Sequence, residues 1–388
     1  HPNFCDTPSV YLVYTWRAED GQLFERLVAY NYEVTADTLV DEEVLLDSVP
    51  VSGSHAGSRV VIGTDRMLYM TVSDADRQND VQDYTKQPGK IFRLHLDGSV
   101  PASNPYAGAD RPTSLIWSIG HRNPQGLVMT DDGRLYSSEH GPSTDDEVNR
   151  IERDANYGWP DVSGYCDTPY EVRFCDEEGV TEPMFAWTPT LAPAGLDYYE
   201  HDAIPSWKDH LLLAFLKGGR LAVLELDEEQ RTVVGQRDRF VFEFGRIRDI
   251  CVAPDGRVFV TTSNRDPVGT PREGDDRLIE IRSTAGHPAL PAPGELCDRQ
   301  MVSVDTPDTR MFHRVVPLPI RTNAQLDLGR EASAGEVVIY DGRGLVVRRR
   351  DVSAGDRLHV ERGELPSGFY LLEHHADGVA TRFRLIVE

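Results

Sequence analysis

Polar and charged residues that can carry chemistry are concentrated in four short segments of the chain. Residues 120–127 place a histidine, an arginine and two amides together, and residues 138–142, 145–149 and 156–160 add acids, a second histidine and aromatic rings. Such groups fit poorly in a hydrophobic core and suit the loops at one mouth of a β-propeller. The four segments therefore predict a site that is assembled from loops on a β scaffold.

The scaffold that must position these loops is predicted to be all-β. The 388 residues exceed what one core usually supports, so either two domains or a repetitive core is expected. Glycine (32) and proline (25) are spread along the length. No window shows the sustained i, i+3, i+4, i+7 apolar spacing that predicts a long amphipathic helix.

A weak internal repeat supports a propeller. Residues 64–71, 131–138 and 254–261 each combine a polar turn with a short alternating strand, and residues 211–215 and 220–224 form a strand pair around a turn at 217–219. Irregular spacing of such units is typical of propeller blades whose loops differ in length. The repeats alone are equally compatible with a β-sandwich that has long loops.

The C-terminal part of the chain is predicted to be a separate unit. A linker rich in proline, alanine and glycine is expected over residues 283–304, after a first domain that covers residues 1–282. Residues 305–388 contain four short strand patterns with tight turns at Asp341-Gly342 and Asp377-Gly378, which favours an immunoglobulin-like β-sandwich. The four strands are expected at 337–340, 345–349, 369–373 and 381–387.

Charge and hydropathy narrow the possible partners. The net charge of -24 argues against nucleic acid, because its phosphates would be repelled. No apolar run approaches the length of about 18 residues that a membrane span needs. The chain begins with His1 rather than methionine, and we expect that a segment has been lost before it.

The five cysteines show no spacing typical of metal binding or thiol catalysis. Cys166 and Cys175 bracket a polar loop and are able to pair in an oxidising compartment. Cys5 and Cys297 form a second possible pair. Cys251 lies in an apolar run and is expected to be a buried strand thiol.

Several motifs, in matching order, resemble one enzyme family. Besides the four polar segments, they are residues 53–59 (GSHAGSR), 89–94 (GKIFRL), 97–101 (DGSVP) and 245–249 (GRIRD). From residue 1 to about residue 282 the chain resembles the soluble glucose and aldose dehydrogenases that use pyrroloquinoline quinone (PQQ), the glucose/sorbosone dehydrogenase-like propellers. The resemblance implies a six-bladed type of β-propeller that lacks its first blade.

The resemblance also implies roles for individual residues. Oxidation of a sugar at its anomeric carbon needs a base for the hydroxyl proton while hydride leaves. His55 matches the family's base, and a neutral imidazole is suited to that task. Asp74 matches a carboxylate that stabilises the imidazolium, and Arg122 matches a further residue of the catalytic centre.

The family's cofactor is an anion, so an acidic protein must gather cations locally to bind it. Arg122, Lys217, Arg246 and Arg248 match the basic residues that hold PQQ, and Asn123 matches a neighbouring polar contact. The spacing of Arg246 and Arg248 places both on one face of a strand.

Calcium is the second cofactor that the resemblance implies. Backbone carbonyls at Gly141 and Pro142 match those that hold the ion against PQQ, where it acts as a Lewis acid. Further calcium ligands are expected among residues that offer backbone or carboxylate oxygens. These are Glu147, Tyr157, Ser163, Tyr165, Asp167 and Glu182.

Departures from the family bear on the substrate. Ser54 stands where relatives have an aspartate before the catalytic histidine, a glutamine of the missing first blade is absent, and the loop between Cys175 and Trp187 is short. The substrate is therefore expected to be an aldose sugar, oxidised to its lactone, that need not be glucose. The electron acceptor is not indicated.

Residues 305–388 resemble the C-terminal sorting domains of the type IX secretion system. The match lies in the segments 339–346, 365–371 and 384–387. It implies passage through the periplasm, contact with the secretion machinery and an extracellular or cell-surface location. A generic adhesive or spacer sandwich is the alternative for this unit.

Two other functions are compatible with a propeller. One is a binding module of the same fold without catalysis. The intact set of His55, Lys217, Arg246 and Arg248 favours the enzyme, because a binding module has no need for both a base and a cation cluster. The other is a calcium-dependent hydrolase of sugar lactones, which requires several carboxylates or amides around one ion, and no such set is recognisable.

Overall fold

The chain contains two compact units in a computed structural model. One comprises residues 1–270 and 276–299, and the other comprises residues 271–275 and 300–388. The predicted domain boundaries at 282 and 305 stay predictions. The structure describes residues 1–33 and 36–283, together with strands at 324–327, 335–341, 346–352, 357–360, 368–376 and 379–387.

Five antiparallel sheets follow one another along the first unit, and in each the strands are neighbours in sequence order. Sheet 1 contains β1 (Ser9–Arg17), β2 (Leu23–Glu33) and β3 (Thr38–Pro50). Sheet 2 contains β4 (Val60–Ile62), β5 (Leu68–Val72), β6 (Lys90–Leu94) and β7 (Ile116–Ile119). Sheet 3 contains β8 (Pro124–Met129), β9 (Leu135–Glu139), β10 (Asp146–Ile151) and β11 (Phe185–Trp187). Sheet 4 contains β12 (Pro193–Tyr199), β13 (His210–Phe215), β14 (Arg220–Leu226) and β15 (Val233–Arg239), and sheet 5 contains β16 (Ile247–Val252), β17 (Val258–Thr262) and β18 (Leu278–Ile281).

This arrangement is all-β and propeller-like, with five blades, as the resemblance to the dehydrogenase family implied; the sandwich that the repeats alone left open is not formed by the described residues of this unit. Sheets 2, 3 and 4 have the four strands typical of a propeller blade, whereas sheets 1 and 5 have three within the described residues. A sixth, missing blade stays a prediction.

Among the described residues of the first unit, the core contains four apolar clusters, each between two consecutive sheets. Leu27 and Val49 of sheet 1 pack with Met70 and Phe92 of sheet 2, and three further clusters repeat this arrangement from sheet 2 to sheet 5. β5 and β6 are buried along their whole length because both faces of sheet 2 are covered. This double burial explains the apolar residues of β5, whereas the buried charges of β6, Lys90 and Arg93, are held by hydrogen bonds.

The topology brings several loops to one end of the first unit. Within a sheet, the start of the first strand and the turn between the second and third strands lie at the same end. The first strands β4, β8, β12 and β16 contact one another in that order. We call the end where these strands begin the site end.

Three of the first strands are irregular near the site end. The register shifts between Pro124 and Gly126 in β8, between Pro193 and Leu196 in β12, and between Ile247 and Asp249 in β16. A bulge of this kind inserts a residue and re-aims side chains. Gln125 and Arg248 are residues that these irregularities affect.

A helix not anticipated from the sequence, α1 (Pro169–Glu178), lies between β10 and β11. Thr168 and Glu171 form a capping box, proline occupies the first turn, and Gly179 ends the helix in the left-handed conformation. The Thr-Pro-x-Glu sequence was a signal that could have predicted this helix. The Cys166–Cys175 pairing is confirmed as a disulfide that joins α1 to the preceding loop.

The expectation for Cys251 was wrong, because its side chain is exposed. Ile250 is buried, and successive residues of a strand face opposite sides, so Cys251 points away from the core. The apolar run Ile250-Cys251-Val252 is therefore part of an alternating strand, in which Ile250 faces the core and Cys251 faces away from it. Cys5 is disulfide-bonded, and Cys297 lies outside the described residues.

The described part of the second unit consists of strands. The predicted strands are confirmed in a four-stranded antiparallel sheet of order β21-β20-β23-β24, beside a two-stranded pair β19-β22. The strands are β19 (Ala324–Asp327), β20 (Gly335–Asp341), β21 (Val346–Val352), β22 (Arg357–Val360), β23 (Gly368–Ala376) and β24 (Val379–Val387). The predicted turns at Gly342 and 377–378 lie outside the described residues, and the sandwich stays a prediction. Within the described part of the chain, no helix has the length and apolarity to cross a membrane.

Candidate active site

Residues that the sequence singled out lie in loops at the site end of the first unit. His55 precedes β4, Arg122 and Asn123 precede β8, and Arg246 and Arg248 lie at the start of β16. The turns between second and third strands supply Asp74 in sheet 2, Gly141 and Pro142 in sheet 3, and Lys217 in sheet 4. The antiparallel topology therefore brings together residues that are distant in sequence.

His55 is held by a buried carboxylate. Its Nδ1 lies 2.6 Å from Oδ1 of Asp74, whose side chain is fully buried. The other oxygen of Asp74 accepts a 2.9 Å hydrogen bond from Nε1 of Trp159. Because the carboxylate fixes the proton of a neutral imidazole on Nδ1, the other ring nitrogen, Nε2, is available to accept a proton.

A second carboxylate, which sequence reasoning missed, also faces His55. Oδ1 of Asp76 lies 3.3 Å from Nδ1 of His55, and Oδ2 accepts a 3.1 Å hydrogen bond from Ser54. Hydrogen bonds from Ser52, and then the charge of His55, hold the pKa of Asp76 below its usual range. Ala75 and Asp76 both have positive φ, 52° and 58°. Left-handed backbone at two such residues is strained and is typical of functional sites.

Arg122 connects the His55 loop to the turn at Gly141. Its backbone carbonyl accepts a 2.7 Å hydrogen bond from the amide of Asp74. Its Nη1 donates to the carbonyls of His140 and Gly141, both at 3.0 Å, and its guanidinium stacks on Trp159. The Nε atom of Arg122 is buried and has no hydrogen-bond partner.

His140, also missed from the sequence, lies beside the same cations. Burial, together with the charges of Arg122, Arg248 and His55, lowers the pKa of His140 to about 4. A hydrogen bond to the backbone at Pro193 raises this pKa and so offsets part of the decrease. The ring is therefore neutral at neutral pH. Its Nε2 is buried without a partner. The flagged segment 138–142 was the signal that could have identified His140.

Arg248 belongs to a hydrogen-bonded chain that joins β16 to β8 and to the residue before β8. Its Nη1 donates to Oε1 of Gln125 at 3.2 Å, and Nε2 of Gln125 donates to the buried Asn123 at 3.1 Å. Arg246 pairs with Asp266 at 2.9 Å, whereas Arg248 is 3.9 Å from the same carboxylate. The predicted Arg246, Arg248 and Asn123 are thus brought together, and Gln125 is a further member of this group.

Lys217 is the most peripheral of the predicted cations. Its exposed ammonium donates a 3.0 Å hydrogen bond to Thr190. Burial raises the pKa of Asp146, and the positive charge of Lys217 acts in the opposite direction. Asp146 accepts hydrogen bonds from the amides of Gly141 and Ala192, at 2.9 and 2.7 Å. Lys217 is therefore linked to the Gly141 turn through Asp146.

A small cavity brings together four of the predicted metal-binding residues. Gly141, Glu147, Tyr157 and Ser163 line it, beside Arg122, Glu139, His140 and Trp159. Burial and the charge of Glu139 raise the pKa of Glu147. Asn149 donates to both carboxylates, at 2.9 Å to Glu139 and 3.0 Å to Glu147. Two neighbouring carboxylates in a small cavity form a donor set that suits a hard divalent cation.

The other predicted metal-binding residues are exposed: Pro142, Tyr165, Asp167 and Glu182. Glu182 accepts a 2.8 Å hydrogen bond from the amide of Cys166 next to the disulfide. The hydroxyl of Tyr157 is bonded to the Arg150 carbonyl at 2.6 Å and to the Glu152 amide. Glu147 is therefore better placed to bind a cation than the hydroxyl of Tyr157, which already has two hydrogen-bond partners.

Comparison with known proteins gives consistent matches over the first unit. The family model described as glucose/sorbosone dehydrogenase matches residues 1–268. Quinoprotein glucose dehydrogenase B of Acinetobacter calcoaceticus is 30% identical over 367 residues, covering 74% of this chain and 75% of that protein. An aldose sugar dehydrogenase of Escherichia coli K12 is 30% identical over 272 residues, covering 67% of this chain and 72% of that protein.

Solved structures agree in fold. The PQQ-bound aldose sugar dehydrogenase of Streptomyces coelicolor has a TM-score of 0.61 and 29% identity, covering 72% of this chain and 77% of that chain. The soluble aldose sugar dehydrogenase of Escherichia coli, in its apo form, has a TM-score of 0.59 and 28% identity, covering 67% of this chain and 77% of that chain.

Proposed function

The chain belongs to the glucose/sorbosone dehydrogenase family, and from that premise we propose that it oxidises an aldose sugar at the anomeric carbon to the lactone, with PQQ and calcium as cofactors. One observation carries the proposal. A histidine held by a buried aspartate, 2.6 Å from its Nδ1, lies beside a cation group in which Arg122 keeps a buried donor without a partner. A base and an anion site side by side are what quinone-dependent sugar oxidation requires.

The residues present fit PQQ. Arg122, Lys217, Arg246 and Arg248 supply positive charge, and Asn123 and Gln125 supply amides. The unpaired Nε of Arg122 is a buried donor, and an anionic ligand provides an acceptor for it. Nε2 of the neutral His140 is a buried acceptor, which an N–H or O–H group of a ligand would satisfy. When bound, PQQ supplies an electrophilic quinone carbon that accepts hydride.

His55 has the task of removing the proton from the sugar hydroxyl. Asp74 accepts a hydrogen bond from the N–H group at Nδ1 of the ring, so the unprotonated Nε2 takes up the substrate proton. The imidazolium formed in this way is stabilised by the buried Asp74 and by the exposed Asp76. Trp159 and the backbone of Asp76 orient Asp74 through hydrogen bonds of 2.9 and 3.0 Å.

Calcium would bind at two places in this proposal. Carbonyls of the Gly141-Pro142 turn would hold the ion that polarises the cofactor, and the cluster around Glu147 would hold a structural ion with Ser163 and the Tyr157 backbone. In the structure the Gly141 carbonyl accepts a 3.0 Å hydrogen bond from Nη1 of Arg122, so a bound ion would have to share or displace this contact. The outer group, Tyr165, Asp167 and Glu182, is the place for further ligands.

The proposal includes a location outside the cell. The Cys166–Cys175 disulfide supports an oxidising compartment. The strands of the second unit, β19 to β24, are compatible with a sorting domain of the type IX system, which would make the secretion machinery a partner. The electron acceptor would then be a periplasmic or extracellular carrier.

The decisive test is reconstitution of the protein with PQQ, with and without calcium. PQQ affinity is measured by equilibrium titration, and reduction of an artificial dye is followed over a panel of aldoses and polyols. We expect dye reduction that requires both cofactors and yields a lactone. PQQ binding without turnover of any sugar would indicate a binding module instead, and absence of PQQ binding would contradict the proposal.

A further inference from the structure

An arginine and an aspartate from different sheets form an ion pair at the centre of the first unit. Nη1 and Nη2 of Arg59, just before β4, lie 2.8 and 2.7 Å from the two oxygens of Asp249 in β16. These residues are 190 positions apart in sequence and belong to sheets 2 and 5. The pair therefore links two blades that are not consecutive.

The two intervening sheets also contact this pair. Nε of Arg59 donates to the carbonyl of Gln125 in β8, at 3.4 Å. In β12, a Cβ atom at Gly195 would lie 2.2 Å from Oδ1 of Asp249, so only glycine leaves room for the carboxylate. Four of the five sheets thus meet at one salt bridge, close to where β8, β12 and β16 are irregular.

The pair lies next to the cation group of the candidate site. Asp249 follows Arg248 in the chain, and Arg59 contacts the residue to which Arg248 is hydrogen-bonded, Gln125. The side chains of Arg59 and Asp249 are 29% and 36% exposed, so water reaches both charges. Without its partner, the Asp249 carboxylate would place an uncompensated negative charge beside an anion site.

We propose that Arg59 is a positioning residue of the anion site, which neutralises Asp249 and so leaves the charge of Arg248 available to the cofactor. The inference rests on the proposed function, because the anion concerned is PQQ. It makes a prediction that depends on the sign of the charge. Loss of Arg59 weakens binding, loss of Asp249 does not, and loss of both restores it.

The test measures the dissociation constant of PQQ by equilibrium titration for Arg59→Met, Asp249→Asn and the double variant. We expect binding about five- to tenfold weaker in Arg59→Met, unchanged or tighter in Asp249→Asn, and within about twofold of the wild type in the double variant. The deficit of Arg59→Met should shrink as salt is added, because salt screens the exposed carboxylate.

Arg26→Met is the matched control. Arg26 forms a similar two-bond pair with Asp47, at 3.0 and 2.8 Å, but within sheet 1 between β2 and β3. Its loss should leave PQQ affinity unchanged. Thermal denaturation of each variant shows whether it is folded, and the double variant tests the charge argument even where Arg59→Met is less stable.

Two results would contradict the inference, each for a different reason. If the wild type binds PQQ and both single variants weaken it equally, with no recovery in the double variant, the pair is only a structural link and the inference is overturned. If the wild type does not bind PQQ, the proposed function fails, and this inference fails with it.

Discussion

Two neighbouring groups of buried polar residues differ in whether their hydrogen bonds are complete. In the interior group, Lys90 donates to the carbonyls of Asp80, Val81 and Pro88 at 3.3, 2.6 and 2.7 Å. His121, the other member, is bonded through both ring nitrogens, to Ser118 at 2.9 Å and to Glu139 at 3.1 Å.

The mouth group, Arg122 and His140, is incomplete by the same measure, since each keeps one buried nitrogen without a partner. Both groups lie in loops and at strand ends of sheets 2 and 3, so location does not separate them. The two groups differ instead in the number of unmet hydrogen bonds. A buried polar atom without a partner costs about 1–3 kcal/mol unless a ligand satisfies it. The completed interior group stabilises the fold, whereas the mouth group keeps hydrogen-bonding capacity that a ligand at the candidate site would satisfy.

The largest effect should come from His55, which belongs to neither group but acts beside the mouth group. In His55→Ala, turnover should fall by about 10²–10⁴, because the base is lost. PQQ affinity should stay within about threefold, since the imidazole acts on the substrate. Steady-state dye reduction and PQQ titration measure the two separately. Equal loss of affinity and turnover would contradict this division of roles.

The interior group is tested by Lys90→Met. Removal of the ammonium leaves three carbonyls without their donor, so the free energy of unfolding should fall by about 3 kcal/mol. PQQ affinity of the folded protein should not change. Lys86→Met, in the same loop but exposed, is the control and should have little effect. Denaturant titration measures stability, and a Lys90→Met variant as stable as the wild type would break the comparison.

Variants of the cation group (Arg122, Lys217, Arg246 and Arg248) should lose PQQ affinity rather than stability. Lys217→Ala and Arg248→Ala should each weaken PQQ binding by about tenfold, as a charge-assisted contact is lost, with little change in stability. The difference from wild type should decrease with salt, because salt screens the attraction that only the wild type retains. Lys208→Ala is the control, since Lys208 pairs with Asp202 in the β12–β13 connection, at the other end of sheet 4. A similar loss in Lys208→Ala would mean that net charge, rather than this group, governs affinity.

The smallest expected effect concerns pH and His140. Its pKa is about 4 in the folded chain, below the unfolded value of about 6.5, so between these values only the unfolded chain binds the proton. This group therefore lowers stability as pH falls from 6.5 towards 4 and contributes nothing above. In His140→Gln, the loss of stability between pH 7 and pH 5 should be smaller than in wild type by about 1–2 kcal/mol. Thermal denaturation at both pH values measures it, and an unchanged difference would show that His140 is protonated in the folded state.

Much of the fold could be predicted because strand patterns are local. The alternating runs at 64–71, 131–138 and 254–261 correspond to β5, β9 and β17, and the turn at Lys217 joins β13 to β14 as expected. The exposure of Cys251 and the three-stranded sheets could not be predicted, because burial depends on which sheet lies against which. Helix α1 was missed although its capping sequence was visible, since its exposed surface has no apolar periodicity.

The site was predicted less completely. Residues that match a sequence motif were found, including His55, Asp74 and Arg248. Asp76 and the Arg59–Asp249 pair were not, because their roles depend on contacts between separate loops or sheets, which no spacing in the sequence reveals. Asp76 meets His55 from another loop of sheet 2, and Arg59 meets Asp249 between sheets 2 and 5.

The register shifts in β8, β12 and β16 have a consequence for how such a site can be altered. Beyond the irregularities in β8 and β16 the strands resume regular pairing, so Val128 and Ile250 keep their places in the core when Gln125 or Arg248 is replaced. In β12 the corresponding position, Gly195, is restricted to glycine by Asp249. Residues such as Gln125 and Arg248 can therefore vary without shifting the frame of the blade behind them. Libraries restricted to these positions offer a way to change ligand preference by directed evolution while the folded population is preserved.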